Sequence, residues 1–94
     1  MRFRTKVFEI EAVRFTGDNT PEVQGFAGRE NFVDYLKDDP GWAQAGITAH
    51  VFDYLHDTWV GVKDGQWIIK GMKGEFYPCD PDVFEAKYEA IDED

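Results

Sequence analysis

The chain predicts an α+β fold: a small, mostly antiparallel β-sheet with two or three short helices packed on one side or at its ends. Three observations predict it. Residues 2–15 and 49–79 carry runs of aromatic and β-branched side chains with period-two alternation, broken by Gly, Asp and Pro. Pro21 and Pro81 each follow a capping residue and precede a short run at helical spacing. The chain is short, 94 residues, and 16% aromatic, so large rings must fill a modest core. Residues 1–91 read as a single α+β domain and 92–94 as an acidic tail.

Residues 2–15, "RFRTKVFEIEAVRF", read as one strand, with Phe8, Ile10 and Ala12 on one face and Val7, Val13 and Phe15 on the other. "TGDNTP" breaks it. Thr20 is the expected N-cap with Pro21 at the first helical position, and Val23, Phe26 and Ala27 follow at helical spacing until Gly28. In "ENFVDYLKDDPGW", Phe32, Val33 and Leu36 face away from Asp34, Lys37 and Asp38, which predicts a short amphipathic helix stopped by Pro40-Gly41. "WAQAGIT" fits either a loop or a third helical turn. "AHVFDYL" and "TWVGV" read as paired strands joined around His56-Asp57.

After Lys63-Asp64-Gly65, "QWIIK" is a strand with Trp67 and Ile69 on one face and Ile68 on the other. Gly71 to Gly74 supply a tight turn. "EFYPC" returns, and Pro78 confines it to a sheet edge because proline cannot donate to a ladder. Asp80-Pro81 repeats the cap signature, with Val83, Phe84 and Tyr88 closing over the sheet and Asp82 and Glu85 at the positive end of the helix dipole.

Net charge is -9, and the stretch from Asp80 onward holds seven acids against Lys87 alone. Binding to a nucleic-acid backbone is not expected, since that affinity comes from Lys and Arg displacing counterions. Two basic groups stand out, Arg2, Arg4 and Lys6, and Lys63, Lys70 and Lys73; solvated faces that protect strand edges are their plainest reading. No apolar run approaches the roughly 20 residues of a membrane span, and the opening residues do not form a secretory signal. One cysteine, Cys79, cannot close an internal disulfide, which suits a reducing, cytosolic setting.

Candidate chemistry is sparse. His50, Asp53, His56 and Asp57 could in principle hold zinc or iron, but they match no recognised ligand spacing, and polar groups at a hairpin tip are the expectation. Cys79 has no partner histidine in a motif, and its acidic neighbours disfavour a thiolate. "GMKG" spells the Gly-x-x-Gly of a KH loop, but here strands flank it, where KH helices should. No catalytic residue, metal or cofactor is expected. The remaining constellation is aromatic: Trp59, Trp67 and Tyr77 beside Lys63, Lys70 and Lys73, where a ring flanked by cations could grip a protein or stack a base.

Residues 51–89, "VFDYLHDTWVGVKDGQWIIKGMKGEFYPCDPDVFEAKYE", with the opening "VFEIEAVRFTGDN", resemble a family of small accessory proteins common in bacteriophages and prophages. The same stretch is similar to the small PGDYG-type domain, with Asp64-Gly65-Gln66-Trp67 in place of its Pro-Gly-Asp-Tyr core. Residues 29–47 look like a variable insert. The resemblance implies no catalytic residues. It implies fold determinants: Gly65, Gly71 and Gly74 at turns, Trp67, Phe76, Phe84 and Tyr88 in a core, Pro78 and Pro81 as stops. It also implies a phage accessory protein without an agreed activity. Small size, the lack of a catalytic constellation and high surface charge then suit a non-enzymatic protein acting in the host bacterial cytoplasm by binding a host or phage protein, such as a defence component. Two alternatives stand beside it: an acidic DNA mimic, and a sponge for nucleotide signals.

Overall fold

The computed structural model describes residues 2–4, 9–34 and 45–90. The tail and the 35–44 segment, including Leu36 and the Pro40-Gly41 stop, lie outside the described residues. The described strands are β1 (Arg2–Arg4), β2 (Glu9–Arg14), β3 (Phe32–Val33), β4 (Ile47–Asp53), β5 (Thr58–Lys63), β6 (Trp67–Lys70), β7 (Phe76–Cys79) and β8 (Glu89–Ala90). Helix α1 spans Thr20–Ala27 and α2 spans Pro81–Lys87. The strands form two antiparallel sheets, a five-stranded one ordered β7-β6-β2-β1-β8 and a three-stranded one ordered β3-β4-β5. The expected α+β class holds, with its sheet divided in two.

The five-stranded sheet is buried on both faces, and alternation along β6 explains how. Ile68 points into a core with Phe15, Val23, Ala27, Phe32, Val51, Val62 and Phe76, under α1 and the three-stranded sheet. Ile69 points the other way, into a core with Phe3, Ile10, Ala12, Phe84 and Tyr88 under α2. The two helices therefore cover opposite faces. Burying each of these large apolar side chains contributes about 1.5–3 kcal/mol.

Three local expectations are corrected. Residues 2–15 are not one strand: β1 and β2 pair antiparallel, with Phe3 opposite Ile10 and Arg4 opposite Glu9. Phe32 and Val33 are not helical; they pair with Val51 and His50, and Phe32 is fully buried between the sheets. Long-range pairing overrides the local helical spacing there. The N-cap of α1 is Asn19, not Thr20. Its Oδ1 accepts from the Thr16 amide at 2.8 Å, and its Nδ2 donates to the Arg14 carbonyl and to Glu22, both at 2.8 Å, so the side chain ties the end of β2 to the helix instead of capping N2 or N3.

Elsewhere the punctuation acts as read. Gly28 ends α1 at φ 106, a conformation only glycine adopts without strain. Pro78 sits on β7, an edge strand. Asp80 stands at the N-cap of α2 before Pro81, but its side chain makes no cap hydrogen bond; its carboxylate instead accepts from Gln66 Nε2 at 2.7 Å. Phe84 and Tyr88 turn inward four residues apart, but Val83, expected to close over the sheet with them, is corrected: it lies on the outer side of α2 and is exposed.

Candidate functional site

The six residues expected to form one surface fall in three places. Trp67 and Tyr77 face α2: the Trp67 ring stacks on Phe84 at 4.2 Å and meets Phe3 edge-on at 5.1 Å, and its Nε1 is buried without a described hydrogen-bond partner. Burial, with Tyr88 and Glu75 nearby, pushes the Tyr77 hydroxyl up to about 12. These rings are partly buried members of the second core. Trp59 and Lys63 belong to β5 in the other sheet, and both are exposed. Lys70 and Lys73 are exposed at the β6–β7 turn. Strand alternation and the division into two sheets separate side chains that are neighbours in sequence.

The structure brings together a different set. The β4–β5 hairpin tip reaches the β6–β7 turn, where the Tyr54 hydroxyl donates to the Lys73 carbonyl. At this junction Met72 is 78% exposed, Tyr54 51% and Leu55 45%, beside the exposed Lys70 and Lys73. Tyr54, Leu55 and Met72 were readable only as apolar residues out of place: two stand just before the His56-Asp57 turn, one between Gly71 and Gly74. Met72 also borders an open groove of about 280 Å³ lined by Arg2, Glu9, Ile10, Glu11, Lys70 and Gly71. Its charges alternate: Glu11 lies opposite both Arg2 and Lys70 across the strands, and Arg2 contacts Glu9 at 3.3 Å.

The hairpin tip is held by Asp53. Its Oδ1 accepts from the Leu55 and His56 amides at 3.0 and 3.4 Å, and its Oδ2 meets His56 Nδ1 at 2.7 Å. The His56 hydrogen bond chiefly holds the Asp53 carboxyl below the usual range, against the opposing effect of burial. His50 is buried, which lowers its pKa. By strand parity it lies on the opposite face of β4 from Asp53, so the sequence cluster of His50, Asp53, His56 and Asp57 does not converge. Among the described residues no three His, Cys, Asp or Glu side chains form a metal-binding group.

A carboxyl whose native pKa is depressed stabilises the fold above its unfolded value, about 3.9, and that contribution is lost as pH falls through the native value. Acidification below pH 4 should therefore open the tip before the sheets. Amide exchange at Leu55 and His56 should accelerate at pH 3 in the wild type but be equally fast at pH 3 and 6, after correction for intrinsic rates, in Asp53→Asn. Equal acceleration in both proteins would remove Asp53 from this role.

Burial first, then Asp80, pushes the Cys79 thiol up, which keeps it protonated and a poor nucleophile at neutral pH. No helix among the described residues is long and apolar enough to cross a membrane. Comparisons with protein families, with curated proteins and with solved structures find no match.

Proposed function

We propose that this chain is a non-enzymatic accessory protein, of the phage class its second half resembles, that binds another protein through the junction of the β4–β5 tip and the β6–β7 turn. The observation carrying this reading is the Tyr54–Lys73 hydrogen bond, which fixes two hairpin tips so that Leu55 and Met72 are presented beside Lys70 and Lys73. Apolar anchors ringed by charge suit a partner surface with an apolar recess and acidic rim. Side chains held on two joined turns lose less freedom on binding than those of a loose loop. The neighbouring groove favours a nucleotide sponge less, because Glu9 and Glu11 would face an incoming phosphate and Arg2 is already engaged with Glu9.

The test is affinity capture from nuclease-treated bacterial lysate, with protein and small molecules both analysed in the eluate. Wild type should retain one stoichiometric protein. Lys70→Glu/Lys73→Glu should weaken its binding at least about tenfold with thermal stability unchanged, since both side chains are exposed. Equal capture by the variant would refute the placement, and a bound nucleotide with no protein would refute the reading.

A further inference from the structure

The sheet edges of this molecule are guarded unequally. β3 and β8 are two residues long, and β7 carries Pro78. β5 is six residues, "TWVGVK", with no proline and its one charge at the end. It forms the edge of the three-stranded sheet.

Which of its backbone groups face outward follows from the ladder. The Phe52 amide donates to the Asn31 carbonyl at 2.8 Å, on the β3 side of β4. In an antiparallel sheet a residue's N–H and C=O point to the same side, so Phe52 directs both away from β5. Phe52 lies opposite Trp59, and His50, two residues back, opposite Gly61. Both are therefore non-hydrogen-bonded pairs, and Trp59 and Gly61 aim their N–H and C=O out of the sheet. Lys63, next in this series, has its outward groups closed by Gln66, whose Oε1 accepts from the Lys63 amide at 2.8 Å and whose N–H donates to the Lys63 carbonyl at 3.1 Å. No described backbone group bonds those of Trp59 or Gly61; the Thr58 hydroxyl reaches the Trp59 carbonyl only at 3.5 Å. Four groups on an extended edge, exposed at Trp59 and half-buried at Gly61, thus lack a backbone partner among the described residues, and the ladder stops at Gln66.

We propose that this edge pairs with β5 of a second copy of the chain, antiparallel, about a two-fold axis through Val60. The register is fixed by the four groups. Only pairing Trp59 with Gly61 of the second copy, and Gly61 with its Trp59, uses all four and no others; moving the axis to Trp59 or to Gly61 would require groups of Asp57 or Lys63. Asp57 is in a turn at φ 52, and Lys63 is already closed by Gln66.

Side chains in this register are self-complementary. Directly opposed residues share a face, so each indole lies over the Gly61 of the other copy, where there is no side chain to displace it. The Ile47 side chain crosses that glycine: a Cβ on Gly61 would stand 2.3 Å from Ile47 Cδ1. The indole therefore meets an apolar neighbour. At either end Asp57 comes opposite Lys63 of the second copy, and both are exposed and of opposite sign. A strand chosen without regard to itself would not place Trp against Gly and acid against base about one residue. Two-fold pairing of like strands is also the commonest closed symmetry, and it removes the edge from further growth.

The experiment is sedimentation velocity of the full chain between about 5 and 500 μM, where a small interface associates, combined with amide exchange at both extremes. A concentration-dependent dimer is expected, with the Trp59 and Gly61 amides gaining protection in it while the Val60 amide, already directed at β4, does not. Trp59→Pro removes the outward N–H together with the indole but no ladder bond to β4, and should leave a folded monomer. Lys63→Glu and Asp57→Lys each place two like-charge pairs in the dimer and should weaken it about tenfold alone. Mixed in equal amounts they restore both opposite-charge pairs and should recover dimer. A monomer throughout the range, a dimer indifferent to these changes, or variants that do not recover on mixing would overturn the proposal.

Discussion

Phe84→Ala should lower stability by about 3–5 kcal/mol, the range for truncating a buried aromatic ring. Phe84 is 2% exposed and is the point at which α2 grips the five-stranded sheet. It stacks on Trp67 at 4.2 Å, meets Phe3 edge-on at 4.8 Å and lies 5.0 Å from Tyr88. It is the only buried residue of α2, so nothing else in a helix of seven residues replaces the lost contact. An isolated helix of that length does not persist in water. The expected consequence is local: α2 and the short β8 should detach while the first core, on the other face of the sheet, remains. Thermal unfolding should shift down by at least about 12 °C, and the near-UV signal from Trp67 should weaken before far-UV signal is lost. Amides of residues 81–90 should exchange fast under conditions where those of β4 do not. A shift under about 4 °C would mean that α2 is not clamped by this ring.

The parts of the fold legible in the sequence were those decided by neighbours in the chain. The run from β4 through β7 is two hairpins, β4–β5 and β6–β7, so alternation within each strand and a tight turn within each hairpin suffice; the split of Trp67 and Ile69 from Ile68 is the clearest case. The β1–β2 hairpin left a signal that alternation alone should have exposed. Phe3 and Ile10 share a core although they are seven residues apart, an odd spacing that one flat strand cannot put on the same face. Counting Phe3 among the apolar positions would have required a reversal between them. Phe32–Val33 left none: two residues cannot display a period, and their conformation is set by Val51 and His50, nearly twenty positions on.

The candidate surface was less legible for a related reason. Grouping Trp59, Trp67 and Tyr77 assumed that closeness in sequence survives folding, whereas the β5–β6 turn carries the chain from one sheet into the other. What the sequence marks is compatibility with a strand; which face is left open depends on what α1 and α2 cover. Trp59 remains exposed because it lies on the outer side of an edge strand, cross-paired with Phe52 at 5.3 Å. Trp67 is covered because α2 brings Phe84 to it.

Phe32→Ala should cost a similar 3–5 kcal/mol but be felt through the whole domain. Phe32 is fully buried and meets Phe15 edge-on at 5.1 Å, inside the cluster that joins α1 and both sheets. Its backbone is engaged as well: its carbonyl accepts from Gln24 Nε2 at 2.9 Å, and it lies opposite Val51. Alanine keeps those backbone bonds, so the loss reports the ring and the cavity left behind. For a 94-residue domain, whose total stability is about 5–14 kcal/mol, such a loss removes a large fraction. Unlike α2, no single element can leave to relieve it, because β3, β4 and α1 all contribute to the same cluster. Urea unfolding should therefore keep its slope and shift its midpoint in Phe32→Ala, whereas Phe84→Ala should lower the slope as well, having exposed part of its surface beforehand. The two rings lie in different clusters with no shared partner, so the double variant should show additive losses within about 0.5 kcal/mol where both are measurable. A coupling above about 1 kcal/mol would mean that strain passes through β6, where Ile68 and Ile69 hold the two cores back to back, and that the sheet transmits packing changes from one face to the other.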